Sequence, residues 1–196
     1  MNGDRRVARG ARSRTMITRH AVDVASVEGL SGLSFGRLAA DVGLSKGGVA
    51  TLFPTKEQLQ VATAEMAGEV FREAVVQPAS AAAPGAARLR ALIDRWIAYA
   101  EAPLFPGGCF WAANLPDFDS RPGPVRDILA HQRRTWLALL AEQLSQAIAA
   151  GEIADCDPEF TAFQMDALLN AANIAMRLGE AGVADKVRRA FDGLPA

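Results

Sequence analysis

The chain contains two cysteines, two histidines and one tyrosine in 196 residues. Cys109 and Cys156 cannot make a disulfide framework, which points to a reducing, cytoplasmic setting. His20 and His131 stand alone without metal-ligand spacing, so no metal site is expected. There is no apolar run of about 18 residues, which excludes a membrane-spanning helix on sequence grounds. The arginine-rich start has no apolar run behind it and does not read as a secretory signal. Nucleophile–base pairs, phosphate-binding loops and paired catalytic acids are also lacking. An enzyme is therefore not expected, and neither is a cofactor. Alternating β-branched runs are nearly absent as well, which leaves an all-α fold.

What is present is a series of helix signals. Over 14–28, Ile17, Ala21, Val24 and Ala25 share one face, and Gly29 stops the helix. Ser34 caps a second helix near 34–42, which Gly43 ends. Ser45 caps a short third helix over 45–52, closed by Pro54. Thr55 and Gln58 form the T-x-x-Q capping box of a fourth helix reaching about Val76. A connector of low complexity, 77–87, leads to a fifth helix ending near Ala102. The segment 103–124 holds five prolines and reads as loop around a short helix at 108–115. Two long helices follow, at 124–150 and 158–179, the second opened by Asp157–Pro158, and a weaker amphipathic segment lies at 182–191.

Charge divides the chain. The first 60 residues carry nine basic and five acidic residues, net +4, whereas the rest carries 12 and 17, net −5. A basic head on an acidic body suits a head that meets a polyanion; a solvated basic tail is the alternative, and charge alone does not choose between them. The expected division is 1–56 as head and 57–196 as body.

Helices at 34–42 and 45–52 joined by Gly43–Leu44 have the length and tight turn of a helix-turn-helix. In that motif the second helix enters the major groove by its N-terminal end. The adjacent Gly47 and Gly48 each cost a helix up to about 1 kcal/mol relative to alanine, yet they permit close approach of backbone to DNA. The dipole and free N–H groups near Ser45 and Lys46 favour phosphate. Lys56 sits in the first turn of the next helix, where a cation opposes the macrodipole unless it faces a phosphate. The basic stretch RRVARGARSR ahead of the first helix reads as an arm reaching the minor groove through Arg12 or Arg14, with Arg5 and Arg6 as lesser candidates, or else as a disordered tail.

The pattern Ile17, Ala21, Gly29, Ser34-Phe35, Leu38-Ala39, Val42-Gly43-Leu44-Ser45-Lys46-Gly47 and Phe53-Pro54-Thr55-Lys56-Glu57 with Leu59 resembles the DNA-binding head of the tetracycline-repressor (TetR) family of bacterial transcriptional regulators. The resemblance implies that Ser34 and Lys56 contact phosphates and that Ser45, Lys46, Gly47 and Gly48 face the groove. It also implies that Phe53 packs the third helix onto the head. Ala50 departs from the family, which often has tyrosine there, so base reading falls on Lys46, Thr51 and, ranked lower, Arg37.

In the body, aromatic residues at helical spacing read as core and also as the wall of an apolar cavity between helices. TetR-like regulators bind inducers in such a cavity. The expected lining is Trp96, Phe110, Trp111, Trp136, Met165 and Leu169, with Tyr99, Asn114 and Asn170 orienting an unidentified small molecule. Cys109 reads as packing and, less readily, as a thiol sensor. The helix 158–179 is apolar on two sides: Phe160, Phe163, Ala167, Ala171, Ile174 and Leu178 on one, Ala162, Met165, Leu169, Ala172 and Met176 on the other. One side is expected to meet the core and the other a second subunit, joined in the seam by Trp136, Leu140, Leu144 and Ile148; a monomer with this helix at its centre is the alternative.

The expectation is a homodimeric, ligand-responsive repressor released from a near-palindromic DNA operator, without membrane association. The competing expectations are a non-specific architectural DNA binder with a helical dimerisation body, and an α-helical enzyme or carrier with a vestigial head.

Overall fold

A computed structural model describes residues 2–101 and 104–192, with side chains from Val7 onward. Every regular element among the described residues is helical. The chain forms two compact units. The first runs to Glu69 and adds Phe105–Leu129; the second comprises Val70–Leu104 and residues 130–196.

The first unit begins with α1, Asn2–Glu28, which starts 12 residues earlier than the 14–28 that the periodicity predicts. The arginine-rich stretch is its continuation: Ala8, Arg9, Ala11 and Arg12 are good helix formers, and only Gly10 interrupts them. A 3-10 turn, Leu30–Gly32, leads to α2 (Phe35–Asp41) and α3 (Lys46–Leu52). Ser34 caps α2 by accepting the Arg37 N–H, and Ser45 caps α3 by accepting the Gly48 N–H at 3.0 Å. The turn between them is a Schellman closure, with Leu44 N–H on the Ala39 carbonyl at 2.8 Å and Gly43 N–H on Ala40 at 3.3 Å. Gly43 has φ +68°, a conformation that charges any side chain a steric penalty. The core of the three helices is Ile17, Ala21, Ala25, Leu38, Val49 and Phe53, all buried.

α4, Lys56–Phe71, opens with Thr55 accepting the Gln58 N–H, and buries Leu59, Ala62, Ala67 and Val70. It does not run on as an α-helix to Val76. Residues Arg72–Val76 are π-helical, closed by Gln77 N–H on the Arg72 carbonyl, and a single turn α5, Gln77–Ala79, follows. Pro78 explains the widening: its ring would strike the Ala74 carbonyl of a regular α-helix, and it has no N–H to give.

α7, Phe110–Phe118, packs on α1 in the first unit although it lies far along the chain. Gly107 makes this possible, because a Cβ there would stand 1.8 Å from the Ser26 carbonyl oxygen. Its N–H instead meets Ser26 Oγ at 2.9 Å.

The second unit is built from α6 (Ala86–Glu101), the greater part of α8 (Pro124–Ala149), α9 (Pro158–Arg177) and α10 (Val183–Asp192). Leu92, Trp96 and Ile97 of α6, Leu140 and Leu144 of α8, and Met165 and Leu169 of α9 are buried. Asp157 caps α9 by accepting the N–H groups of Glu159 and Phe160. A part-buried ion pair joins α8 to α9: Arg133 Nη2 and Nε reach Asp166 Oδ2 at 2.8 and 3.1 Å.

Candidate nucleic-acid interface

The short helix α3 presents Lys46, Gly47, Gly48, Ala50 and Thr51 to solvent, and Val49 is its one buried residue, with Leu52 half-buried at its end. Nothing in the protein requires its first glycine. A Cβ on Gly47 would meet no atom within 4 Å, whereas one on Gly48 would press on Ser45 Oγ at 3.2 Å. An exposed helical glycine with open space around it costs stability without relieving any internal contact. Lys46 has no ion-pair partner among the described residues. Thr51 Oγ1 donates to the Gly47 carbonyl at 2.9 Å, so in this geometry it offers lone pairs to an incoming donor. The Ser34 and Ser45 hydroxyls each accept a backbone N–H and retain their own O–H to donate.

Three expected DNA contacts have partners within the protein. Arg37 pairs with Glu28 and lies 3.8 Å from Asp41, which in turn meets His20 Nε2 at 2.8 Å. This chain of charges ties α2 to α1, and Arg37 cannot read a base without breaking it. The same contact holds the Glu28 carboxyl below its ordinary range through the hydrogen bond from Arg37, so the tie persists at neutral pH and loosens only as pH falls through that lowered value. Lys56 Nζ donates to the Ser31 carbonyl at 2.6 Å, which anchors the 3-10 turn and leaves two of its three donors. Arg14 Nη1 donates to the Leu52 carbonyl at 3.0 Å, and its guanidinium lies 4.5 Å over the Phe53 ring. Arg12 is exposed on α1. A flexible minor-groove arm is thus replaced by helix; the side chains of Arg5 and Arg6 lie outside those described.

The expected ligand residues divide between the units. Phe110, Trp111 and Asn114 belong to the first; Trp96, Tyr99, Trp136, Met165, Leu169 and Asn170 belong to the second. Asn114 is a correction. It is fully buried, donates to the Ala25 and Phe110 carbonyls at 3.1 and 2.7 Å, and accepts the Leu30 N–H at 2.6 Å. These bonds latch α7 to the end of α1 and to the 3-10 turn; both amide donors are used and the side chain is fully buried, so it is not placed to orient a ligand. Asn114→Leu keeps the volume but strands the Leu30 N–H, so unfolding experiments should show a loss of about 1–3 kcal/mol; an unchanged denaturation midpoint would sink the latch. Phe110 stacks edge-on against Phe105 and Trp111. Asn170 donates to the Asp166 carbonyl of its own helix.

In the second unit the sequence reading missed Phe71. Its ring stands edge-to-face with Tyr99 at 5.3 Å and with Trp136 at 5.4 Å, directly before the π-helical stretch. A separate groove of about 280 Å³ lies between α6 and α10, bordered by the ion pairs Arg90–Asp192 and Arg188–Asp94, and none of the expected ligand residues lines it.

The expected seam also divides. On α9, Phe160, Phe163, Ile174 and Leu178 are 57, 54, 59 and 76 % exposed, and Ala167 and Ala171 between them are exposed too. The opposite stripe, Ala162, Met165, Leu169 and Ala172, is buried. On α8, Leu140 and Leu144 are fully buried within the protomer and cannot form a seam; Trp136 and Ile148 are half-buried. The i, i+4 spacing located an apolar face correctly but could not say which neighbour covers it.

No group of three or more potential metal ligands occurs among the described residues, and no helix among them is long and apolar enough to cross a membrane.

Residues 85–191 match the family described as Tetracyclin repressor-like, C-terminal domain. That span includes the segment Phe105–Leu129 that packs with the head. No curated protein matches the chain significantly in sequence. Among solved structures, a TetR transcriptional regulator from Chloroflexus aurantiacus superposes with a TM-score of 0.85 at 25% identity, covering 94% of each chain. AibR, solved with isovaleryl coenzyme A and operator DNA, gives 0.76 at 21% identity over 93% of this chain and 97% of its own. A transcriptional regulator from Saccharomonospora viridis in complex with choline gives 0.78 at 18% identity over 93% and 94%. With more than half of its length matched, and with a head of the expected helix-turn-helix form, the chain belongs to the tetracycline-repressor-like family of transcriptional regulators.

Proposed function

We propose that the protein is a homodimeric repressor that binds a near-palindromic operator through α3 and leaves it when a small, largely apolar effector occupies the body. The observation that carries the reading is the surface of α3: two helix-weakening glycines, an unpaired Lys46 and the Thr51 lone pairs face outward together. Such a surface suits close backbone approach with sparse base contacts.

The second copy is expected on α9. Its exposed stripe is nearly palindromic in size: Phe160 and Phe163, then Ala167 and Ala171, then Ile174 and Leu178. A two-fold axis through the alanines would let two such helices cross closely, with the large side chains of one end meeting those of the other. The stripe is about 27 Å long at 1.5 Å per residue. Exposed apolar patches of this kind mark interaction sites. Two-fold symmetry would then present the recognition helices about one DNA turn, roughly 34 Å, apart.

For the effector, the support is the ring cluster Phe71–Tyr99–Trp136 at the end of α4, a helix that contributes residues to both units. Fold relatives solved with isovaleryl coenzyme A and with choline make a bound small molecule a reasonable expectation here. An effector that favours one body conformation shifts the heads only by its differential affinity for the two states.

The test is selection of duplexes in vitro from random DNA, followed by binding at fixed salt. A selected duplex should bind at least about 10³-fold more tightly than random sequence. Lys46→Ala and Thr51→Ala should each lower that preference by about 1–3 kcal/mol. Equal binding of selected and random duplex would instead indicate an architectural DNA binder.

A further inference from the structure

We infer that Arg14 is a positioning residue for α3, holding the recognition helix at its C-terminal end without itself touching DNA. The inference rests on the reading of α3 as the DNA-reading helix.

α3 is seven residues long, carries two glycines and has no basic residue in its last turn. Its N-terminus is closed by its own Ser45. Its C-terminus leaves carbonyls that need a donor, and a cation there complements the helix dipole. α1 supplies both. Arg14 Nη1 donates to the carbonyl of Leu52, the last residue of α3, while the guanidinium carbon lies over the ring of Phe53, 4.5 Å from its centroid, and Phe53 is fully buried. A hydrogen bond and a ring-face contact together hold a planar guanidinium at two points, which a lysine ammonium does less well. One helical turn earlier on the same side of α1, Gly10 lies against Leu52: a Cβ there would be 3.9 Å from Leu52 Cδ2. Thus α1 meets the end of α3 at two successive turns.

This arrangement gives Arg14 a signature unlike that of a phosphate contact. A phosphate contact contributes to every DNA sequence, and its loss lowers the slope of log affinity against log salt by about 1. A positioning residue changes only what the correctly placed helix reads. Arg14→Gln keeps a donor but removes the charge and the face contact; Arg14→Lys keeps the charge but not the fork. Both variants should be titrated with an in vitro selected duplex and with random duplex over a range of salt. The expected result is a loss of about tenfold or more on the selected duplex, the size of one lost base contact. Binding to random duplex and its salt slope should stay unchanged. Circular dichroism and thermal unfolding of both variants should show a folded head at the assay temperature.

Equal losses on both duplexes with a salt slope lowered by about 1 would make Arg14 a phosphate contact and overturn the inference. Unchanged binding to both, or loss of binding accompanied by loss of helicity in both variants, would overturn it as well. Each of those results leaves the DNA-binding reading standing. If the unmodified protein fails to discriminate selected from random duplex, the DNA-reading role of α3 falls first and the inference with it.

Discussion

Gly47→Ala is expected to raise the thermal stability of the protein while weakening its hold on operator DNA. The two effects have separate causes. In the protein, a Cβ at position 47 meets nothing within 4 Å, so alanine introduces no clash. It gains up to about 1 kcal/mol of helix propensity, or roughly 2–4 °C in a chain of this size. Against DNA, the same methyl group occupies the space that the glycine leaves for close approach. A loss of at least about tenfold in affinity for a selected duplex is expected, equivalent to ~1.4 kcal/mol. Thermal unfolding and fluorescence anisotropy at fixed salt check the two signs independently. Gly48 would be a poorer probe, because its substituent would crowd the Ser45 cap and mix the two effects. A stabilised variant with unchanged affinity would show that the glycine serves no external surface. It would also remove the main argument that α3 presses closely on DNA.

The second large effect is expected at the exposed stripe of α9. The double substitution Phe163→Glu with Ile174→Glu should convert a dimer to monomers without unfolding the protomer. Both side chains are more than half exposed, so a carboxylate at either position remains hydrated when the chain stands alone. In a two-fold seam each change counts twice. Completing the burial of Phe or Ile from a half-exposed state contributes about 0.8–1.5 kcal/mol per side chain, half the value for full burial. Four such losses amount to about 3–6 kcal/mol, or some 10²- to 10⁴-fold in the dimer dissociation constant, before charge repulsion is included. Sedimentation velocity should show the change, and binding to a two-half-site operator should fall with it. Leu140→Ala is the contrasting control. Leu140 is fully buried in the protomer, so its truncation should cost about 2–5 kcal/mol of stability and leave association to the unaltered stripe. If the unmodified chain is monomeric at micromolar concentration, or the double variant still dimerises, the seam is not on this face.

Capping and turn chemistry were legible in the chain because they are local. Ser34, Ser45, Thr55 and Asp157 each accept an N–H two or three residues further on, at the helix start their side chains announced. Gly43 closes the helix-turn-helix with the positive φ that its position requires. The combined spacing over residues 17–59 sufficed to indicate the family, and the two apolar stripes of α9 were visible as periodicity. The arm, the π-helical stretch and the role of Asn114 were misjudged for lack of spatial information. Residues 2–13 satisfy helix propensity as well as they satisfy a basic tail, and Pro78 can end a helix or widen it. Aromatic spacing is the same whether a ring faces core, cavity or partner.

Sequence by itself determined the helical class, the caps and the charged, glycine-weakened surface of α3, since each depends on residues within a few positions of one another. Only the tertiary structure decided what the longer side chains do. Arg14 closes α3 from another helix, Arg37 joins a chain of charges between α1 and α2, and Asn114 latches α7 to α1 across more than 80 residues of sequence. The physical reason is the same in each case. A polar side chain satisfies whichever donor or acceptor the fold brings within about 3 Å, and that neighbour is not written in the local pattern.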